Sequence, residues 1–253
     1  MILMGLDFET TGVDALTCDV VEIGAVAWDT AIQAPLGVFS TFVQVEKEKW
    51  SDEAAEHHKI SFETTKKFGI PAATAFGEFE IFWGNYGRAS TLVAHNGLKF
   101  DFPLLKRFSS LCVHMAEPQL FIDTRFHLPL KDQTKAGDLT SLAASLQILN
   151  YHPHRAFSDV LTMFSVMSKF DLKQVLERAA SPLRRIRVET PKPWSSAGKA
   201  HPEYNETVKK YRFYFDPENG NTWAKEGLGS DLLPIFSELQ SIGLSPKVEE
   251  ITA

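Results

Sequence analysis

The chain has 253 residues, of which 44% are hydrophobic and 23% charged, with a formal net charge of −6. That length suits one large domain with a small appendage, and the balance is that of an ordinary soluble globular protein. No run approaches the roughly 20 consecutive apolar residues of a membrane span, and Cys18 and Cys112 as the only cysteines exclude a disulfide framework and a cysteine-based zinc site. The start, Met1 to Asp7, lacks a basic leader and a small-residue cleavage site, so no secretion signal is read and the cytoplasm is the expected location. A negative sum does not suit a protein that coats DNA, but a site for divalent cations itself requires carboxylates.

Taken in chain order, Met1 to Leu6 is a short apolar run closed by an acidic residue, as a buried central strand would be. Val20–Trp28 and Val38–Val45 are β-branched and aromatic runs, and the three together suggest an antiparallel meander. Thr74 to Tyr86 has helical spacing, Thr91–Ala94 is a short strand, Phe102 to Cys112 a helix, and Leu120–Ile122 a strand closed by Asp123. Helices follow over Leu139–Leu149, Ala156–Lys169 and Leu172–Ala180. Strands first and strand–helix alternation afterwards indicate an α/β domain with a mixed sheet over 1–181. A small basic and aromatic module then fills 182–253: strands Tyr211–Phe215 and Thr222–Ala224 flank the turn Asp216–Gly220, and a last helix runs from Asp231 to Ile242.

Three stretches carry chemistry. In Asp7-Phe8-Glu9-Thr10-Thr11-Gly12, residues i and i+2 of a strand point the same way, so Asp7 and Glu9 share a face while Phe8 packs inward. Two carboxylates side by side repel unless a cation lies between them, and oxygen ligands suit Mg²⁺ or Mn²⁺. Asp101 opens a helix after the strand that ends at His95; as a structural alternative it is only an N-cap ahead of Pro103. Asp159 lies one turn into an otherwise apolar helix, where a carboxylate is costly unless paired or metal-bound. His154, five residues earlier, reaches the same space, and its neutral imidazole can take a proton from water. A lone histidine is more often structural, and His152 is a rival with a spacing of seven.

The order Asp-x-Glu-Thr-x-Gly, then Asn with a Phe-Asp pair, then His-x-x-x-x-Asp resembles the histidine branch of the DEDD (DnaQ-like) exonuclease superfamily, over about Ile2 to Ala180. Leu92–Gly97 with Phe100–Leu105 is similar to the three-prime repair exonucleases, and His58-Lys59-Ile60-Ser61 to the family's His-Gly-Ile-Thr loop, with Lys59 in place of glycine. The resemblance implies a ribonuclease H-like, mixed five-stranded sheet flanked by helices. It implies two Mg²⁺ or Mn²⁺ ions held by Asp7, Glu9, Asp101 and Asp159, with His154 as general base. Thr10, Thr11, Gly12, His58, Ile60, Asn96 and Phe100 would contact the terminal nucleotide, Ile60 and Phe100 by stacking or wedging; a core role is equally open to Phe100. Asp123-Thr124 resembles the family's post-strand pair and reads as structural. The partner implied is DNA with a free 3′ end, single-stranded, with no membrane and with a homodimer among the allowed assemblies.

Between Pro182 and Tyr214 the chain has eight basic residues (Arg184, Arg185, Arg187, Lys192, Lys199, Lys209, Lys210, Arg212) against three acidic ones. Together with Phe213–Pro217 and Thr222–Lys225, this resembles a small module on some bacterial exonucleases. Basic residues interleaved with Tyr211, Phe213 and Trp223 could grip single-stranded DNA; a solvated linker, or aromatics that only staple the hairpin down, are the structural alternatives. The expected activity is a 3′–5′ exodeoxyribonuclease. An RNA-trimming enzyme on the same site and an inactive 3′-end-binding module stand as alternatives.

Overall fold

The computed structural model describes residues 1–87, 89–112, 118–130, 137–150, 152–189, 202–216 and 222–251. The chain divides into two compact units, the first ending at Ala179. In the first, a five-stranded sheet has the order β3-β2-β1-β4-β5. Strands β1 (Ile2–Thr10), β2 (Val20–Asp29) and β3 (Ala34–Phe42) form an antiparallel meander, and β4 (Thr91–Ala94) and β5 (Leu120–Asp123) run parallel to β1. This is the expected mixed α/β sheet.

Strand parity decides what each face does. Met4, Leu6 and Phe8 of β1 join Phe76, Phe79 and Trp83 of helix α3 (Ala72–Asn85) in one core. Leu3 points the other way, into a second core with Val160 and Phe164 of helix α7 (Ala156–Met167). Asp7 and Glu9 share the parity of Leu3, so they lie on the α7 side. On that face the cross-strand pairs are Leu3 with Trp28, Gly5 with Val26, Asp7 with Gly24 and Glu9 with Glu22. Both glycines make room for α7: a Cβ on Gly5 would lie 2.4 Å from the Phe164 ring, and one on Gly24 would lie 2.3 Å from the backbone at Ala156 and Phe157.

Boundaries moved where tertiary pairing overrode local pattern. β1 does not stop at Asp7 but runs to Thr10, because β2 pairs with it up to Thr10–Val20. β3 begins at Ala34 rather than Val38: Pro35 and Gly37 read as breakers, yet an edge strand tolerates a proline. The helix that begins at Leu139 stops at Ser145, ahead of a left-handed Gln147. The helix α4 (Asp101–Phe108) gives way to a 3₁₀ turn over Ser109–Leu111.

Among the described residues four helices escape the sequence reading: Thr124–His127, Pro202–Lys210, and the short α1 (Asp52–His58) and α2 (Phe62–Phe68). Ser51 and Ser61 cap the last two by accepting from the N–H groups of Ala54 and Thr64, and those serines were the available signal. Lys59 closes α1 in the left-handed region, at φ 58°, so the loop keeps the conformation a glycine would give it at a lysine's cost. Lys59→Gly should therefore stabilise the protein by about 1 kcal/mol, or roughly 2–4 °C in Tm, read by differential scanning calorimetry. An unchanged or lower Tm would refute the strain.

The second unit is a four-stranded antiparallel sheet, β7-β8-β6-β9, rather than a lone hairpin with a helix. β7 (Tyr214–Asp216) and β8 (Thr222–Leu228) are the expected hairpin. β6 (Leu183–Glu189) and β9 (Lys247–Glu250) complete the sheet, with helices over Pro202–Lys210 and Gly229–Ser241. Alternation explains β6: Ile186 and Val188 enter a core with Tyr204, Val208, Phe213, Leu232 and Leu239, while Arg185 and Arg187 point away. Arg185 pairs with Glu226, and Arg187 with Asp216 and Glu249. Phe213 and Trp223 belong to this unit's own packing. Lys192, Lys199 and the turn residues Pro217–Gly220 lie outside the described residues. Among the described residues no helix is long and apolar enough to cross a membrane.

Candidate active site

Three carboxylates from two distant elements converge. Asp7 and Glu9 project from β1 toward α7, whose first turn carries Asp159. One oxygen from each lies within 4.8 Å of the other two. The fourth acid, Asp101, stands beside this trio rather than in it. β4 ends at Ala94, which leaves the Phe8 N–H without a strand partner; the buried Asp101 accepts it at 3.2 Å. Asp101 thus lies inside the first turn of α4, and the capping position belongs to Phe100. The capping alternative is set aside.

The electrostatics follow from crowding. Burial raises Asp7 well above the usual carboxylate range, and Asp101, Glu9, Asp159 and Glu22 push in the same direction. Glu9 is pushed up to about 8, first by burial and then by Asp159, Glu22 and Asp101. Asp101 is also raised to about 8, by burial and then by Asp123. Asp159 is raised by burial, against the pull of hydrogen bonds from Asn150 Nδ2 at 2.8 Å and the His154 N–H at 2.9 Å. Hard oxygen donors this close, short of counter-charge, fit a divalent cation.

His154 sits on the rim, exposed, in a left-handed backbone conformation at φ 62°. Its N–H is engaged by Asp159, and its ring lies edge-on to His57 with centroids 6.1 Å apart. His152 is exposed as well. The spacing argument thus brings His154 to the carboxylates through its backbone, with the exposed ring beside His57.

The residues expected to hold the terminal nucleotide divide into two groups. Several are engaged within the protein: the Thr10 hydroxyl donates to the Gly12 carbonyl at 2.7 Å, and the Thr11 hydroxyl accepts the Asp19 N–H at 3.0 Å. Both shape the turn after β1. Asn96 is left-handed at φ 64°, with its side-chain oxygen bound by Arg125. Ile60 is only 3% exposed, packed rather than presented as a wedge. Phe100 is half-buried against the α3-side core, which matches its core alternative. His58 differs. It is buried, Nδ1 accepts the Ile60 N–H, Nε2 has no hydrogen-bond partner among the described residues, and burial lowers its pKa to about 4, leaving a neutral ring.

Sequence reasoning shows the supports only in part. Asp123, fully buried, accepts the N–H groups of Asn96, Leu98 and Arg125 at 2.9–3.0 Å and so fixes the loop that delivers Asp101. The structural reading of Asp123 agrees with this place in the fold, although its three partners are not legible in the sequence. Asn150 gave no signal. Glu22 did give one: an acid inside the apolar run Val20–Trp28, 1% exposed, next to Glu9.

Solved structures show the same fold. The nuclease domain of a DEDDh family member, 3′hExo, bound to rAMP, aligns with a TM-score of 0.52 at 14% identity, over 66% of this chain and 90% of that one. Exonuclease I aligns with a TM-score of 0.60 at 11% identity, over 96% and 68%. An exonuclease I from Methylocaldum szegediense aligns with a TM-score of 0.52 at 16% identity, over 82% of this chain but 45% of that one. No curated protein matches by sequence. The sequence profile of the RNase T exonuclease family matches residues 4–167, well over half of the chain. The protein therefore belongs to that exonuclease family.

Proposed function

We propose that the protein removes nucleoside monophosphates one at a time from 3′ ends of single-stranded DNA by metal-dependent hydrolysis. The observation that carries this is the convergence of Asp7, Glu9 and Asp159 within 4.8 Å, with His154 bonded to the last of them. Asp7, Glu9 and Asp159 would hold one divalent ion, and Asp7 with Asp101 a second. Mg²⁺ or Mn²⁺ bound there supplies charge stabilisation at the attacking and leaving oxygens. The ring of His154 accepts the proton of the water whose oxygen attacks phosphorus. The P–O3′ bond breaks, the leaving O3′ takes a proton from solvent to become the 3′-hydroxyl of the shortened strand, and a 5′-monophosphate departs.

DNA is favoured by the likeness of Leu92–Leu105 to repair exonucleases. RNA is the second reading, favoured by two structural neighbours: the 3′-exonuclease that recognises histone mRNA stem-loop, and the domain bound to rAMP. An inactive end-binding module is disfavoured because all five demanding side chains are present. A time course on 3′- and 5′-labelled DNA and RNA oligonucleotides, with Mn²⁺ or EDTA, tests all three. The expected result is mononucleotides released from the 3′ end of DNA and none in EDTA. Preference for RNA by about tenfold, some 1.4 kcal/mol, reverses the sugar assignment.

The raised carboxyls make a pH prediction. Asp and Glu ionise near about 4 in an unfolded chain, while Glu9 is held at about 8 in the fold and Asp7 is moved the same way. In EDTA the folded form therefore keeps protons that the unfolded form has lost. The contribution is intact below about pH 4 and fades as pH rises toward about 8. A divalent cation removes that penalty, so the gain in Tm on adding Mn²⁺ should grow steadily from about pH 5 to about pH 8. A flat gain in a thermal-shift series would argue against the cluster as the cation site.

A further inference from the structure

Helix α7 carries Asp159, yet its own capping residue, Arg155, makes no side-chain cap. The cap comes instead from across the sheet. Glu22 Oε2 accepts the Ala156 N–H at 3.1 Å, at the positive end of the helix. The same carboxylate takes Arg155 in a fork, Nε to Oε2 at 3.1 Å and Nη2 to Oε1 at 2.8 Å. The guanidinium also lies over the Phe42 ring, 5.3 Å from its centroid. One buried acid on β2, beside Glu9, thereby grips both the last residue of the His154 loop and the first residue of α7.

The segment it grips is costly to hold. His154 is left-handed, with its N–H committed to Asp159. The Asp159 N–H bonds in turn to the Arg155 carbonyl. Farther along, α7 is fixed by Val160 and Phe164 in the core, whereas the ring contacts of residues 152–155 are His57 against His154 and Phe42 against Arg155, both at part-exposed or exposed side chains. We propose that Glu22 and Arg155 form a positioning pair for the nuclease reaction, holding His154 and the first turn of α7 in register with Asp7 and Glu9. This rests on the reading of His154 as the residue that takes the proton from water.

Arg155→Lys separates geometry from charge, since an ammonium keeps the cation but cannot span both carboxylate oxygens. Single-turnover cleavage of a DNA oligonucleotide is measured for the wild type, Arg155→Lys, Glu22→Gln, the double variant and His154→Gln. The expected rate constant falls by about tenfold or more in each single variant at the pair. The oligonucleotide and Mn²⁺ concentrations giving half the maximal rate should stay within about threefold, and the double variant should be no slower than the worse single one, as for residues acting as a unit. Glu22→Gln, nearly isosteric, carries the test if the lysine variant does not fold. The pair is refuted by rates within about twofold of wild type, by losses that lie in half-saturation, or by losses that multiply. The underlying reading fails separately: a fully active His154→Gln, or a wild type without cleavage, sinks it, whereas an inactive His154→Gln beside an active Arg155→Lys sinks only the pair.

Discussion

Asp7→Asn is expected to lower turnover by roughly a thousandfold, about 4 kcal/mol of barrier, while the metal-free protein becomes more stable. Both effects have one cause. Asp7 faces the α7 side of the sheet beside Glu9 and within 4.8 Å of Asp159, and its ionised form is disfavoured by burial and by four neighbouring acids. An amide keeps the shape, removes the charge that attracts a cation, and relieves the repulsion. In EDTA at about pH 8 the variant should therefore melt above the wild type, and Mn²⁺ should raise its Tm less than it raises the wild type's. Thermal-shift curves with and without Mn²⁺, beside an oligonucleotide assay, measure both. Turnover within about tenfold of wild type would remove Asp7 from the chemistry.

Gly24→Ala should be nearly as damaging, although Gly24 has no functional group. The added Cβ would lie 2.3 Å from the Ala156 carbonyl carbon and the Phe157 nitrogen, which are backbone atoms and cannot swing aside. The first turn of α7 must lift from the sheet, taking Asp159 and the His154 loop with it. A displacement of about 1 Å costs on the order of 100-fold in rate, and overpacking costs about 1–3 kcal/mol of stability. Gly77→Ala is the control. It lies inside α3 with nothing within 4 Å of its Cβ position, so it should preserve turnover and stabilise by up to about 1 kcal/mol. Equal behaviour of the two variants in urea melts and cleavage assays would show that the close approach of α7 to β2 is not required.

What the sequence disclosed was periodicity and chemistry; what it withheld was pairing across distance. Alternation in β1 put Asp7 and Glu9 on one face, and an acid in an apolar helix marked Asp159; both lie where that reasoning placed them. The strand Thr91–Ala94 matched residue for residue because it is fully buried and bounded by polar turns. Asp123 could not be recognised as an anchor, since its three N–H partners lie at 96, 98 and 125. Ile60 read as a contact for bases by likeness to a motif, but packing buries it. β6 reads as a basic run because three arginines mask the Ile186–Val188 alternation, whereas in the fold it is an interior strand.

The arginines of β6 carry a consequence for ionic strength. Protein affinity for nucleic acid falls with salt in proportion to the phosphates its cations neutralise, because each one releases a condensed counterion. Arg185 and Arg187 already face Glu226 and Asp216, whose side chains are 5% and 13% exposed. To reach a phosphate they would have to strand those acids, so they contribute almost nothing to a log–log salt slope. A basic stretch counted from composition is, in this unit, charge already spent on holding a sheet together.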